Sequence, residues 1–367
     1  MNQKIKKWGM ILAVACWMTL SLGALLLPDS SYSESERREL AGKPDPGLKE
    51  IVSGDFMKDF EAYSLDQFPL RDTFRSLKAL VHYNIFQEKD NNGFYFYKGH
   101  AVKMEYPYKE ASVNHALKRF CYLYDTYLLD TKGAITFAVV PDKGVYAGRE
   151  SGHLQMDYDR LLSDIQEGLP WADVVDLRDT LSLSDYYRTD PHWKQEKLFH
   201  AAEKIADSLK TEAPKQGDYE KEELSEPFFG SFKGQAALPL KADRITLLQN
   251  EILKGCTVYD YESQTTGGVY DLNKLSGKDT YEVYLKGARA LLTITNPKGT
   301  KGRELLVFRD SFGSSLVPLL IGEYEKVTLV DIRYIRSDLL KEYLEIKNPD
   351  VLFLYSTTVL NNSETLK

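Results

Sequence analysis

The segment ELLVFRDSFGSSLVPLL, residues 304–320, decides how the chain is read. Leu305, Leu306, Val307 and Phe308 form a short apolar run suited to a strand buried on both faces. The run breaks at Arg309-Asp310-Ser311-Phe312-Gly313 and resumes with helical spacing, which predicts strand, tight turn, helix. A serine at such a turn sits where the carboxyl edge of a sheet meets the first N–H groups of a helix, so its oxygen is exposed and oxyanion donors lie near it. Ser311 is therefore the candidate nucleophile, with the N–H groups near Ser311 and Phe312 as candidate donors. Serine is also a common helix cap, so the turn alone does not establish chemistry.

Upstream, residues 187–194 read YRTDPHWK. Pro191 favours an extended segment, in which side chains at i and i+2 point the same way. Asp190 then holds Nδ1–H of His192 while Nε2 faces the serine, so a base and its orienter come from one loop. The structural alternative is a histidine at the start of the following helix. With all three residues in place, His192 takes the Ser311 proton as the oxygen attacks an acyl carbonyl, and the acyl-serine is resolved by an acceptor hydroxyl or by water.

Around these two stretches the pattern alternates between strand and helix. Buried-type strands are expected at 135–140, 174–177, 327–330 and 351–355, with helices at 113–129, 157–168, 196–210 and 337–346. Residues 210–225 are charged and read as an exposed excursion. Segments 245–248, 257–261, 281–285 and 290–295 read as short strands of a β-rich insertion or sheet extension. Residues 228–234, FFGSFKG, supply either donors and a sugar platform or a core-entering turn. The chain is thus α/β.

At the amino terminus Lys4, Lys6 and Lys7 precede an uncharged, apolar run over 8–27, ended by Pro28-Asp29. That order of charge and apolar span puts the amino terminus in the cytoplasm and the remainder outside. Ser21 and Gly23 ahead of Ala24 leave a cleavable signal as the alternative to a retained anchor. Residues 30–46 read as a linker and 48–87 as two helices broken at Pro69. Asn91-Asn92-Gly93 opens a hairpin whose tip carries a solvated His100.

A net charge of -7 and a pI near 5.6 argue against a nucleic-acid partner. The 24 tyrosines suit a carbohydrate-facing surface as well as strand and core. Cys16, Cys121 and Cys256 form no framework; only Cys121 and Cys256 could pair, and they read instead as separate buried thiols. The six histidines show no ligand spacing, and no metal is expected.

The Asp-x-His-Trp of residues 190–193, followed much later by Asp-Ser-Phe at 310–312, resembles the DHHW family and the related SGNH-like alginate O-acetylation proteins. The likeness extends to SERRELAGKP and SGDFMKDFEAYSLDQFPLRD within residues 35–72, VVPDKGVY at 139–146 and VDIRY at 330–334. Pro191 stands where the family name has its first His, and Arg309 stands where the alginate relatives carry Gly. The resemblance implies an SGNH-hydrolase-like three-layer α/β/α domain with a mainly parallel sheet over 91–367, with the β-rich insertion around 211–300. A signal anchor at 1–28 and a linker with helical stem at 29–90 precede it.

The same resemblance puts Lys143 and Tyr146 near the site, where they either meet a polar substrate or belong to an ordinary strand end. Asp331 and Arg333 either frame the pocket or form an interior ion pair. Arg309 either meets a carboxylate-bearing polymer or pairs with Asp310. Activity is expected to be acetyl transfer to a cell-envelope or extracellular polysaccharide, in concert with a membrane-bound O-acyltransferase and without a cofactor. A carbohydrate acetylesterase would use the same residues, and a non-catalytic polysaccharide-binding or scaffold protein would keep the fold alone. The main domain is expected outside the cytoplasm, held to the cell membrane by one helix.

Overall fold

The computed structural model describes residues 3–88, 90–277 and 279–367. The expected anchor is thus seen from its third residue, Met1 and Asn2 lying outside the described residues. The chain forms two compact units, Met1–Asn92 with Lys233–Pro239, and Gly93–Phe232 with Leu240–Lys367.

In the first unit, helix α1 (Gln3–Leu26) is long and apolar enough over Lys4–Leu26 to cross a membrane. Strands β1 (Tyr32–Ser33) and β2 (Arg38–Glu39) pair in a short antiparallel ribbon. Helices α2 (Leu48–Ser53), α3 (Asp55–Asp66) and α4 (Arg71–Asn84) follow, three where two were expected. The extra break is at Gly54, whose φ of 87° ends α2 in the left-handed region that glycine adopts freely. Glu36 gathers Arg38, Arg71 and Arg75, while Asp66 takes two hydrogen bonds from Arg38 and one from the Ala41 N–H.

The second unit opens with the hairpin β3 (Phe94–Tyr97) and β4 (His100–Lys103). His100 is not solvated: it begins β4, is 7% exposed and turns inward. Helix α5 (Glu110–Leu123) continues as a π-helical turn to Leu128, and β5 (Ile135–Val140) runs into α6 (Gly144–Ser151). Helix α7 (Tyr158–Gly168), capped by the Asp157 side chain, β6 (Asp173–Asp176) and α8 (Phe199–Ser208) come next. Strands β7 (Glu220–Glu223) and β8 (Thr246–Gln249) form a separate antiparallel pair, so the charged excursion is an exposed edge strand. The remaining strands are β9 (Thr257–Asp260), β10 (Thr265–Gly267), β11 (Leu291–Thr295), β12 (Thr300–Arg309), β13 (Tyr324–Val330) and β14 (Asp350–Ser356).

Eight of these strands make one sheet in the order β10-β9-β11-β13-β12-β14-β5-β6. The run from β13 to β6 is parallel, and β11, β9 and β10 extend it antiparallel at one edge. Side chains alternate with period two, and both sets are apolar. Leu305, Val307, Leu352 and Leu354 face a core completed by Ala201, Ala202 and Ile205 of α8. Leu306, Phe308, Val351 and Phe353 face the opposite core, completed by Phe120 of α5 and Leu161 and Ile165 of α7. Helices therefore cover both faces, and only the strand ends are open for chemistry.

Two expected elements differ. Residues 281–285 were read as a strand but lie at the 3₁₀ turn Thr280–Val283, started by Asp279 accepting the Tyr281 N–H at 3.1 Å. Residues 337–346 hold a 3₁₀ turn, Ser337–Leu339, and one short helix, Leu340–Tyr343. Cys121 is half-buried, Cys256 is buried, and both are free thiols.

Candidate active site

Ser311 stands just past β12, between Arg309 and the short helix Gly313–Leu316. The turn is held by Asp310, whose Oδ1 accepts the Phe312 N–H at 3.0 Å and whose Oδ2 accepts the Ser356 N–H from β14 at 2.8 Å. A buried carboxylate thus locks the serine turn to the neighbouring strand, and Ser311 remains half-exposed. The Phe312 N–H, expected at the oxyanion, is spent on Asp310. Among the described residues no protein acceptor engages the Ser311 N–H.

The YRTDPHWK loop lies against this turn. His192 Nε2 is 2.8 Å from Ser311 Oγ, and His192 Nδ1 is 2.5 Å from Asp190 Oδ1. Asp190 and His192 are 1% and 8% exposed, so the relay sits in a largely dry environment. Asp190 Oδ1 also accepts the His192 N–H at 3.2 Å, and Oδ2 accepts the Ser231 N–H at 3.1 Å. These bonds fix the carboxylate's orientation toward the imidazole.

Several residues of this arrangement carried no sequence signal. Asp243 accepts the N–H groups of Arg188 and Thr189, both at 2.9 Å, and the Thr189 hydroxyl at 2.7 Å, which fixes the loop just ahead of Asp190. Tyr281 stacks on the His192 ring, with centroids 3.8 Å apart and planes 6° from parallel. Its hydroxyl meets Ser315 Oγ at 2.8 Å, and Trp193 Nε1 donates to the same oxygen at 2.9 Å. Gln195 Nε2 donates to the Ser315 carbonyl at 3.0 Å. The loop and the serine helix are therefore joined through Ser315 as well as through the relay. Residues 228–234 resolve into the turn reading, since Phe228 enters a core, while the N–H groups of Gly230 and Ser231 brace Thr189 and Asp190.

The other expected site residues fall elsewhere. Lys143 is buried, and its Nζ donates to carbonyls of Ala101, at 2.9 Å, and Arg188, at 3.5 Å. Tyr146 donates to the Arg178 carbonyl and lines a cavity of about 960 Å³ shared with Tyr97, Arg149 and Glu150, to which none of the three relay residues contributes. Arg309 is fully buried and does not bond the Asp310 carboxylate: its Nη1 donates to the Asp310 carbonyl and Ser314 Oγ, and its Nη2 to the Gly287 carbonyl. Burial pushes its pKa down from the usual arginine range. Asp331 takes two hydrogen bonds from Arg333, at 2.9 and 2.6 Å, forming the interior ion pair.

The family model for the DHHW protein matches residues 176–330, an interval that contains the loop and the serine turn. Over that interval the chain resembles the DHHW family. In fold it is similar to a DHHW family protein from Eubacterium siraeum, with a TM-score of 0.60 at 21% identity, covering 76% of this chain and 95% of that one. It is also similar to Bacillus cereus PatB1 bearing a sulfonyl adduct, with a TM-score of 0.59 at 16% identity, covering 73% of this chain and 95% of PatB1. The O-acetyltransferase domain of Pseudomonas putida AlgJ aligns more weakly, with a TM-score of 0.41 at 15% identity over 69% of this chain and 84% of that chain. A comparison with curated protein sequences returns no match.

Proposed function

We propose that this protein transfers an acyl group, acetyl in the simplest case, through an acyl-serine on Ser311 to a hydroxyl of a cell-envelope or extracellular polysaccharide. His192 Nε2 takes the Ser311 proton as Oγ bonds the acyl carbon, and the same proton passes to the departing oxygen of the donor. In the second half His192 takes a proton from the acceptor hydroxyl, the acceptor oxygen bonds the acyl carbon, and Ser311 Oγ leaves and is reprotonated. Asp190 stabilises the imidazolium in both halves, and the Ser311 N–H is the first candidate donor to the oxyanion.

The observation that carries this reading is the continuous relay from Asp190 through His192 to Ser311, with contacts of 2.5 and 2.8 Å. The likeness to PatB1, whose structure holds a sulfonyl adduct, supports the α/β fold, which we read as SGNH-hydrolase-like and three-layered. Water in place of the sugar would give an acetylesterase with the same residues. The proposed setting is extracytoplasmic, with α1 as the membrane tether and a membrane-bound O-acyltransferase as the source of acyl groups.

A sulfonyl fluoride tests the nucleophile. Oxygen–sulfur bond formation with loss of fluoride adds one sulfonyl group to the full-length chain, and peptide mapping is expected to place it on Ser311. Labelling should vanish in Ser311→Ala and slow on the order of a thousandfold in His192→Ala. Equal labelling of wild type and Ser311→Ala would contradict the proposal.

A further inference from the structure

In the free protein the His192 imidazole is held at both nitrogens, by Asp190 Oδ1 at 2.5 Å and by Ser311 Oγ at 2.8 Å. Once Ser311 carries an acyl group, its oxygen is an ester oxygen with no proton to donate, and Nε2 loses that partner. The last torsion of a histidine is intrinsically broad, so the one bond to Asp190 sets the plane of the ring only loosely. A base that must next receive a proton from an incoming hydroxyl then needs some other hold.

The Tyr281 ring supplies one. It lies face to face with the imidazole, centroids 3.8 Å apart and planes 6° from parallel, and it is 3% exposed. Phe312 meets the same imidazole at 4.8 Å, but at 57°, and it is the residue next to the one that is acylated. A leucine would fill the space of the Tyr281 ring; what calls for a tyrosine is its hydroxyl, which meets Ser315 Oγ at 2.8 Å in the helix Gly313–Leu316. That hydroxyl is turned to Ser315, so Tyr281 acts through the face of His192 and not on the acyl group.

The backbone that carries Tyr281 is a second, independent observation. Leu285, Lys286 and Gly287 have φ of 47°, 58° and 75°, successive residues in the left-handed region of which only the last is glycine. The segment is pinned at both ends. Asp279 accepts the Tyr281 N–H at 3.1 Å, and the Gly287 carbonyl accepts Arg309 Nη2, also at 3.1 Å. It is thereby fastened to the strand end ahead of Ser311 and, through the Tyr281 hydroxyl, to the helix after it. Backbone strain of this kind persists where the surroundings over-determine the conformation, and it gathers at working sites.

We infer that Tyr281 is a positioning residue that holds the plane of His192 through the second half of acyl transfer, when the bond from Ser311 is gone. The inference rests on the proposed function. In that half the acceptor oxygen bonds the acyl carbon and its proton passes to Nε2; the bond from the acyl carbon to Ser311 Oγ breaks, and Nε2 returns the proton to that oxygen. Loss of the Tyr281 ring therefore slows this half more than the first, which begins with both imidazole bonds made.

The test uses the full-length chain in detergent and has two arms. The first needs no chemistry, because Ser311→Ala removes the Nε2 partner outright. With histidine labelled at the ring carbon between its nitrogens, the His192 signal is identified by its loss in His192→Gln. One sharp signal, displaced upfield by the tyrosine face, is expected in wild type and in Ser311→Ala. Broadened or multiple signals are expected when Ser311→Ala is combined with Tyr281→Leu or with Tyr281→Met. The second arm follows acetyl-Ser311, formed with a chromogenic acetyl ester and freed of excess ester. In Tyr281→Leu and Tyr281→Met its loss to water should slow on the order of thirtyfold and the initial burst of chromophore only about threefold, while Tyr281→Phe, which keeps the ring, stays within about threefold of wild type in both.

A His192 signal that broadens in Ser311→Ala with Tyr281 intact, or stays sharp in both double variants, would overturn the inference. Equal slowing of the two halves in folded variants would overturn it as well. The expected signals without any acetyl adduct on wild type would uphold the hold of Tyr281 on the imidazole and remove the acyl-transfer reading instead.

Discussion

Asp190 is confined more tightly than its two hydrogen-bonded neighbours alone require. A Cβ added at Gly230 would lie 2.1 Å from Asp190 Cβ and 2.2 Å from its Oδ2. Neither the loop nor the carboxylate has slack to give, because Asp190 is bonded to His192 and Ser231, and Thr189 to Asp243 and Gly230. Gly230→Ala is therefore expected to displace Asp190 from His192 and lower acyl-ester turnover on the order of a hundredfold, while far-ultraviolet circular dichroism stays that of the wild type. Turnover equal to wild type would show that the carboxylate's place is not set by this contact. Asp190, His192 and Ser311 were legible in the sequence because an i, i+2 pair beside proline and a serine at a strand-to-helix turn each have a local geometry. Gly230, Asp243 and Tyr281 were not, because their contacts to the loop cross about 40 to 90 residues and no local pattern encodes the approach.

The elements divide in the same way. Strands buried on both faces announce themselves by unbroken apolar runs, and β5 was legible at both ends while β12, β13 and β14 were legible at their cores. The Tyr281-Glu282-Val283-Tyr284 alternation reads as a strand, yet all but Glu282 are buried among other aromatic and aliphatic groups, and the Asp279 cap turns the chain instead. His100 looked like a hairpin tip because Lys98 and Gly99 make the turn; it is the first residue beyond it and points inward. In the helical stem, hydrogen bonding from Arg38, opposed by partial burial, holds Asp66 down at about 2. A depressed folded-state value contributes stability above the unfolded carboxylate range and loses it as pH falls through about 4 towards 2. Hydrogen exchange around residues 38–41 and 63–71 is therefore expected to quicken over that acid range in wild type. In Asp66→Asn it should already be fast at neutral pH and show little further change. Protection in the variant equal to wild type would remove the pair from the account of the stem.

At the scale of the whole molecule, the 24 residues of α1 span about 36 Å at 1.5 Å per residue, enough for a hydrocarbon core of about 30 Å. A signal sequence near the amino terminus would pass the same test of length and composition. In the sheet unit the relay stands at the carboxyl edge of the parallel strands, the place where open α/β sheets bind ligands. Acylation of Ser311 is the step that the proposed transfer requires. Its most direct test is the intact mass of the full-length chain, quenched in acid shortly after mixing with a chromogenic acetyl ester, for wild type and Ser311→Ala. One added acetyl group on wild type alone, mapped to Ser311, is the predicted result; a correctly folded wild type that gains no acetyl mass and releases no chromophore would contradict it.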